Sequence, residues 1–478
     1  MNLTYDPAEN ERFWKSIESI PGYPAHEEMP IRKMIFEAGA IWQIPDVLLS
    51  LGADPEQPVL VVMDPTLMRR EGADLKALIR NILVQAGLQP EALVLQPDAT
   101  GQVHTDMPHI EVVQDQLASV GAVLSVGSGV VTDIAKHGCY LYQQATGRQV
   151  PFVVFQTANS VSAYTSNMAP TFVDGVKRTL ASRYPDALIC DLETLRDAPY
   201  EMTVAGVGDL LAAFVSFPDW YLAHILGLDP GYSPLPKELM GPIDEIFLAE
   251  AEGIRAGDLK SVAVLAKLIA LGGLAMSLAH ATTPMSGYEH VISHILDLIN
   301  EQSGRPLAFH GTQVALATLL GTETYRHFLA EFEPAEVSVE SCYPSADTMH
   351  QRIQEAFCTL DPSGRAGEEC WSDYQQKLEA WHAHRAEFQA FLAGWPQVKP
   401  QLEELAQPTE KAQQILEQIR SPRSFAELNP PFSEDQVRFA FLNAPLMRKR
   451  LTIGDLLIFT SWDRDQLWRA IWPVSQGG

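Results

Sequence analysis

The stretch AVLSVGSGVVTDIAKHGCYLYQQATG, residues 122–147, decides the fold. It begins with a largely apolar run, turns at Gly127-Ser128-Gly129, and continues as a helical pattern that stops at Gly147. A buried strand that passes through glycines into a helix is typical of a βαβ unit. The stretch therefore predicts one strand of a parallel sheet with a glycine turn at its carboxyl end.

Four other short apolar runs flank this stretch on either side. They are PVLVVMD (58–64), ALVLQPD (92–98), PFVVFQT (151–157) and ALICD (187–191). Continuous apolar runs that alternate with helical patterns indicate a sheet covered by helices on both faces. We therefore predict an α/β domain with a mostly parallel sheet over residues 1–195.

After Asp191 the strand signal disappears and helical periodicity replaces it. Apolar residues recur at helical spacing around residues 204–214, 243–254 and 261–280. The stretch 330–430 is richer in Glu, Gln and Arg, and there we expect peripheral helices with solvated faces. The second domain is thus predicted to be all-helical, over residues 196–478, as a chain of this length usually divides in two.

The charge of the chain excludes several classes of partner. Lys and Arg number 34 and Asp and Glu number 60, so the formal net charge is −26. A field of that sign repels nucleic acids and anionic membrane surfaces. We expect a small-molecule substrate, no nucleic acid and no membrane partner, and a homo-oligomer, either a dimer or larger.

The cysteines and the apolar segments bear on the compartment. The five cysteines are scattered and form no C-x-x-C pair, which favours free thiols in a reducing compartment. The acidic, polar N-terminus lacks the pattern of a signal peptide. The most apolar stretch, residues 262–278, is interrupted by Lys267 and indicates a buried core helix. These features predict a cytoplasmic protein.

The glycine turn is a candidate nucleotide site. Glycines before a helix let the backbone approach a diphosphate, and the helix N-terminus supplies N–H groups and positive charge. A lone G-x-G is also common for geometric reasons alone, and position 132 is Thr where the dinucleotide fingerprint has Gly. Asp64, at another strand end, is placed to bind a ribose hydroxyl and favour NAD over NADP; as an alternative, it forms the turn before Pro65.

Several polar residues interrupt otherwise apolar helical sequence. Asp209 lies in VAGVGDLLAAF, His290 and His294 are spaced i, i+4 on one helix face, and His310 begins HGTQVALATLLG. A carboxylate with two or three imidazoles suits Zn²⁺, Fe²⁺ or Ni²⁺. Alternatively, each is a hydrogen-bonded core residue. Glu289 precedes His290, so we expect its side chain to point about 100° away around the helix.

The order of these motifs resembles a known superfamily. The residues concerned are GSGVVTDIAK (127–136), MTVAGVGDLLA (202–212), SGYEHVISH (286–294), HGTQVALAT (310–318) and the tail FAFLNAPLMRKRLTIGDLL (439–457). Together they resemble the iron-containing alcohol dehydrogenases, glycerol dehydrogenases and dehydroquinate synthases, and most of all the glycerol-1-phosphate dehydrogenases. The resemblance implies a dehydroquinate synthase-like fold, with an α/β NAD(P)-binding domain followed by an all-α metal-binding domain.

The resemblance also implies roles for individual residues. Asp209, His290 and His310 would hold one catalytic divalent metal, with zinc first and iron or nickel as alternatives, and His294 would lie beside the substrate. NAD or NADP would be the cofactor, and its diphosphate would lie on the turn formed by Gly127, Ser128, Gly129, Val130 and Val131. The nicotinamide side would be lined by Thr157, Ala158, Asn159, Ser160 and Ser166.

One position departs from the family pattern. Relatives carry an Asp that contacts substrate hydroxyls where this chain has Ser162. The expected activity is hydride transfer between NAD(P)H and a small, phosphorylated ketone such as dihydroxyacetone phosphate. Two alternatives stay open: a diverged member that acts on another substrate or has lost turnover, and a dehydroquinate synthase-like cyclase. Relatives in the synthase branch tend to have Glu in place of Asp209, which favours the dehydrogenase.

Overall fold

A computed structural model describes residues 3–24, 30–173 and 176–476. The chain divides into two compact units. The first comprises residues 1–210 and 234–278, and the second comprises residues 211–233 and 279–478. The first unit thus contains helices that lie well beyond residue 195 in the sequence, in addition to the sheet.

The first unit contains the parallel sheet that the apolar runs predict. Among the described residues, six strands form it in the order β1-β10-β7-β6-β2-β5, and every neighbouring pair is parallel. Two short antiparallel hairpins, β3-β4 and β8-β9, accompany the sheet. The strands are β1 (Lys33–Glu37), β2 (Val59–Met63), β3 (Arg69–Arg70), β4 (Ala73–Asp74), β5 (Pro90–Val94), β6 (Ala122–Gly127), β7 (Phe152–Gln156), β8 (Met168–Val173), β9 (Val176–Ala181) and β10 (Ala187–Asp191).

Helices make up most of the remaining described chain. In the first unit and at its boundary they are α1 (Glu11–Ile17), α2 (Ile44–Ser50), α3 (Leu75–Gln85), α4 (Met107–Gln116), α5 (Gly129–Thr146), α6 (Leu192–Asp197), α7 (Tyr200–Leu211), α9 (Leu235–Met240), α10 (Ile243–Ala256) and α11 (Leu259–Leu278). In the second unit they are α8 (Ala213–Ile225), α12 (Tyr288–Gln302), α13 (His310–Glu331), α14 (Ala346–Phe357), α15 (Arg365–Ala383), α16 (Arg385–Ala393), α17 (Trp395–Leu405), α18 (Thr409–Gln418), α19 (Glu434–Asn443), α20 (Ile453–Phe459) and α21 (Arg464–Ile471).

One core of the first unit lies against a face of the sheet. Val61, Leu124 and Phe155, from three neighbouring strands, pack into one buried cluster with Leu48 of α2 and Ile79 of α3. Burial of such side chains contributes about 1.5–3 kcal/mol each. The continuous apolar runs in the sequence are therefore explained by strands that are buried between layers.

Two details of the strand prediction differ from the structure. The run at residues 92–98 was predicted as a strand, but the strand there is β5, Pro90–Val94, because this edge strand exposes most of its residues and its apolar pattern is uninformative. β1 and the hairpin β8-β9 were not predicted. β1 presents only three consecutive buried side chains, from Met34 to Phe36, and so gives a weak signal.

The helical predictions agree with the structure. The patterns around 204–214, 243–254 and 261–280 correspond to α7, α10 and α11. Two stretches, Tyr200–Ile225 and Leu259–Leu278, are long and apolar enough to cross a membrane, but 83% of the most apolar window of each is buried within the protein. The apolar stretch around Lys267 is thus a core helix, as predicted.

Candidate active site

The order of strands predicts a ligand-binding edge of the sheet. β2 has β5 on one side and β6 on the other, so the chain leaves β2 for one neighbour and later returns to the opposite side. Ligands of open α/β sheets bind at the carboxyl ends of strands where the order reverses in this way. Asp64 follows β2, the Gly127-Ser128-Gly129 turn begins at the last residue of β6, and Met63 pairs with Val126 in the register. The structure therefore brings these two predicted elements to adjacent strand ends.

The glycines of this turn are required by close packing. A Cβ atom added to Gly127 would lie 2.5 Å from Cβ of Val131, and one added to Gly129 would lie 2.5 Å from Cγ2 of Val161. Ser128 precedes the first turn of α5, and its side chain makes no capping hydrogen bond there. The N–H groups of a long helix thus begin at the switch point, which is the arrangement that suits a diphosphate.

Asp64 makes several contacts of its own. Its Oδ1 accepts a hydrogen bond from the Thr66 N–H at 3.1 Å, its Oδ2 accepts one from the Thr66 hydroxyl at 3.0 Å, and Lys76 Nζ lies 3.2 Å from Oδ1. These contacts form the turn that was the alternative role for this residue. The ammonium group of Lys76 also offsets the negative charge of Asp64. The influence of Asp64 on the choice between NAD and NADP stays a prediction.

The residues predicted to line the nicotinamide form a buried segment after β7. Asn159 accepts from the Gln156 amide at 2.8 Å and donates to the carbonyl of Val262 at 3.2 Å. Ser160 lies 3.1 Å from the Tyr164 hydroxyl, and Ser166 accepts from the Met168 N–H. These side chains hold the segment in place. A direct contact with the cofactor remains a prediction for them, as it does for Thr157 and Ala158.

Helix α7 packs closely against this segment and carries Asp209. A Cβ atom added to Gly206 would lie 2.1 Å from the carbonyl oxygen of Asn159, so this approach requires glycine. Asp209 follows nearly one turn later and is 7% exposed. Its Oδ2 accepts hydrogen bonds from the Ser162 N–H at 3.1 Å and from the Ser162 hydroxyl at 3.0 Å. Ser162 therefore orients the carboxylate of Asp209.

Helices α12 and α13 bring three imidazoles together. The ring centroids of His290 and His310 are 5.1 Å apart, and the ring of His294 lies 6.2 Å from that of His290 and 5.9 Å from that of His310. His290 and His294 share one face of α12 because they are four residues apart. His310 is the first residue of α13. The clustering predicted from the sequence is thus present in the structure.

Asp209, His290 and His310 form a set with the geometry of metal ligands. Each offers one ligand atom, and these atoms all lie within 4.8 Å of one another. A carboxylate oxygen and two imidazole nitrogens are donors that suit zinc, iron or nickel and leave positions open for a substrate. The residues present therefore fit the divalent metal that the resemblance implies.

Both histidines of this set have a polar contact at Nδ1. Nδ1 of His290 lies 2.9 Å from Oε1 of Glu289, and Nδ1 of His310 lies 3.2 Å from the hydroxyl of Ser293. Glu289 and His290 are successive residues of α12, which places them about 100° apart around the helix, and the carboxylate nevertheless reaches the imidazole. Oε1 of Glu289 turns back to accept the Gly287 N–H at 2.7 Å, and this brings it to the imidazole.

A second buried carboxylate lies close to Glu289. Asp219 on α8 accepts hydrogen bonds from the Tyr325 hydroxyl at 2.6 Å, the Tyr288 N–H at 2.8 Å and the Ile453 N–H at 2.7 Å. Burial, with the nearby charge of Glu289, raises the pKa of Asp219 to about 8, although the hydrogen bonds oppose this shift. Sequence reasoning missed Asp219, although an Asp within the apolar stretch FVSFPDWYLA is the kind of signal that identified Asp209.

Comparisons with known proteins identify relatives of the chain. The sequence matches the family profile of iron-containing alcohol dehydrogenases over residues 35–199. An NAD(P)+ glycerol-1-phosphate dehydrogenase of Bacillus subtilis (strain 168) is 32% identical over 296 residues, which cover 60% of this chain and 72% of that protein. One from Geobacillus thermodenitrificans (strain NG80-2) is 30% identical over 268 residues, covering 56% of this chain and 64% of that protein. In structure, the chain resembles a probable glycerol dehydrogenase from Sinorhizobium meliloti 1021, with a TM-score of 0.52 and 16% sequence identity. The match covers 92% of this chain and 98% of that chain, and it shows that the two share a fold.

Proposed function

Because the chain belongs to the iron-containing alcohol dehydrogenase family, we propose that it transfers hydride between NAD(P)H and a small phosphorylated ketone. Dihydroxyacetone phosphate and glycerol 1-phosphate are the favoured pair, since the relatives at 32% and 30% identity are glycerol-1-phosphate dehydrogenases. The reaction class is that of a metal-dependent NAD(P)-linked dehydrogenase. The observation that carries the proposal is the convergence of Asp209, His290 and His310.

We propose that these three residues hold one divalent metal, with zinc as the first candidate and iron or nickel as alternatives. When bound, such a metal supplies a Lewis acid that polarises a carbonyl and stabilises a developing alkoxide. His294 lies beside the set, with its ring about parallel to that of His310. Its role would be to form a hydrogen bond with the substrate and orient it.

The cofactor would bind at the switch point of the sheet. The turn at residues 127–131 would hold the diphosphate against the N-terminus of α5, and the segment after β7 would face the nicotinamide. The support for this placement is the strand order together with the glycines that keep the turn compact. Either NAD or NADP suits a site in which Lys76 offsets the charge of Asp64.

Ser162 favours a second candidate, in which the substrate differs from that of the relatives. Its hydroxyl donates to Asp209, so it takes part in holding a ligand residue. Its surroundings are also tight, because a Cβ atom added to Gly272 would lie 2.9 Å from the Ser162 oxygen. An Asp at this position would add a second carboxylate beside Asp209. A serine therefore leaves the site less negative and suits a more anionic substrate.

A panel of carbonyl compounds tests the proposed function. We expect the metal-loaded protein to oxidise NADH or NADPH with dihydroxyacetone phosphate, at a kcat/KM at least about tenfold above that for dihydroxyacetone. The physical reason is that charge-assisted hydrogen bonds to a phosphate contribute about 1.5–3 kcal/mol. Absence of carbonyl-dependent oxidation with every compound in the panel would contradict the proposal.

The panel also separates the two candidates when it includes larger sugar-phosphate ketones and the variant Ser162→Asp. If the unaltered protein reduces only the larger ketones and Ser162→Asp gains activity with dihydroxyacetone phosphate, the diverged substrate is correct. If the unaltered protein already reduces dihydroxyacetone phosphate efficiently, Ser162 is a tolerated change. The variant Ser162→Ala is the matched control, since it removes the hydroxyl without adding a charge.

A further inference from the structure

Glu289 is a buried acidic residue for which neither the family motifs nor the ligand set assigns a role. Its exposed fraction is 0%, and it lies in the first turn of α12, next to His290. Of its two carboxylate oxygens, Oε1 is engaged by Gly287 and His290. Within the described part of the chain, no hydrogen-bond donor reaches the buried Oε2. A carboxylate buried in this way costs free energy, so its presence calls for a functional reason.

The local backbone is arranged to bring this carboxylate back to the imidazole. A Cβ atom added to Gly287 would lie 2.8 Å from Oε2 of Glu289 and 2.7 Å from Oδ2 of Asp219. The Cβ atom of any larger residue at position 287 would therefore be too close to both carboxylates. Gly287 makes room for the side chain of Glu289 and also donates its N–H to Oε1. The turn thus fixes Oε1 at 2.9 Å from Nδ1 of His290.

A carboxylate at Nδ1 has a defined effect on a histidine that binds a metal. The carboxylate keeps the proton on Nδ1, so that Nε2 is free to bind the metal. It also makes the ring more basic, so that Nε2 donates its electron pair to the metal more strongly. The other ligand histidine has a weaker partner, because Nδ1 of His310 lies 3.2 Å from the neutral hydroxyl of Ser293. The two imidazoles are therefore supported unequally.

We propose that Glu289 is a positioning residue that orients His290 toward the metal and strengthens its binding, an inference that rests on the proposed metal site. Glu289 acts through His290 and contacts neither the metal nor the substrate. Because the carboxylate is charged and Ser293 is neutral, loss of Glu289 weakens metal binding more than loss of Ser293. Partners of this kind typically change metal affinity by about 10–100-fold.

The test is the affinity of the metal-free full-length protein for Zn²⁺, measured by competition with a chromophoric chelator. We expect Glu289→Ala to bind Zn²⁺ about 10–100-fold more weakly than the unaltered protein. Glu289→Gln keeps an oxygen that can accept a hydrogen bond from Nδ1, so its loss of Zn²⁺ affinity should be smaller. It also provides a second variant in case the alanine variant misfolds. Ser293→Ala should reduce the affinity for Zn²⁺ less than Glu289→Ala does.

Asp297→Asn is the matched control. Asp297 is a buried acidic residue on the same helix, and it accepts from the Gln313 amide at 2.9 Å. We expect this variant to bind Zn²⁺ with unchanged affinity. If the unaltered protein binds no Zn²⁺, the proposed metal site is wrong. If it binds Zn²⁺, and His290→Ala abolishes binding while both Glu289 variants bind with unchanged affinity, the metal site stands and the role of Glu289 is refuted.

Discussion

The His310→Ala variant is expected to lose its metal and to lower kcat/KM by roughly a thousandfold or more, which corresponds to about 4 kcal/mol of transition-state stabilisation. His310 is one of three residues whose ligand atoms lie within 4.8 Å of one another, and two remaining ligands hold a divalent metal poorly. The measurement is bound metal per chain together with NADH oxidation in the presence of dihydroxyacetone phosphate.

The control for this variant is His350→Ala. His350 lies on α14, where its ring stacks on Trp371 and contacts Glu368, and it has no place in the ligand set. Its metal content and activity should equal those of the unaltered protein. If the His310→Ala protein is folded, binds as much metal as the unaltered protein and retains its activity, then His310 is not a metal ligand.

The Lys377→Met variant is expected to lose about 3–5 kcal/mol of folding free energy, because it leaves a buried carboxylate without its cation. The side chains of Lys377 on α15 and Asp455 on α20 are both 0% exposed, and Nζ of Lys377 lies 2.5 Å from Oδ1 of Asp455. Burial lowers the pKa of Lys377 and raises the pKa of Asp455, while their attraction opposes both shifts. Urea unfolding of the variant and of the unaltered protein measures the difference.

Two further variants show whether the buried pair is the cause. In Lys377→Met/Asp455→Asn both charges are gone, and the double variant should recover most of the lost stability. Lys399→Met removes an exposed lysine on α17, 4.0 Å from Glu403, and should change stability by less than about 0.5 kcal/mol. Equal losses for Lys377→Met and Lys399→Met would show that the buried pair contributes nothing.

This ion pair also shows what α15 contributes to the fold. α15 lies in the stretch 330–430, which was expected to form peripheral helices, and the stretch is helical as predicted. Lys377 nevertheless reaches Asp455 in the family-like tail, and Trp381 on the same helix is 0% exposed. The buried face of α15 could not be predicted from the high content of Glu, Gln and Arg, because composition averages over the solvated face and the buried face of a helix.

The sheet was predictable because strands buried on both faces leave continuous apolar runs, as at β2, β6, β7 and β10. The bounds of β5 were predicted wrongly because most residues of this edge strand are exposed, so the apolar pattern does not show where the strand begins and ends. The histidines were predictable from i, i+4 spacing. The contact of Ser162 with Asp209 was not, because it joins residues 47 positions apart. The contact of Glu289 with His290 depends on the turn at Gly287, and helical periodicity carries no information about that turn.

Removal and restoration of the metal in the unaltered protein tests most directly whether hydride transfer depends on a metal held by Asp209, His290 and His310. We expect about one tightly bound divalent metal per chain. Chelation should abolish the oxidation of NAD(P)H by dihydroxyacetone phosphate, and stoichiometric Zn²⁺, Fe²⁺ or Ni²⁺ should restore it. Undiminished carbonyl-dependent oxidation in protein shown by elemental analysis to be free of metal would show that the reaction does not need a metal at Asp209, His290 and His310.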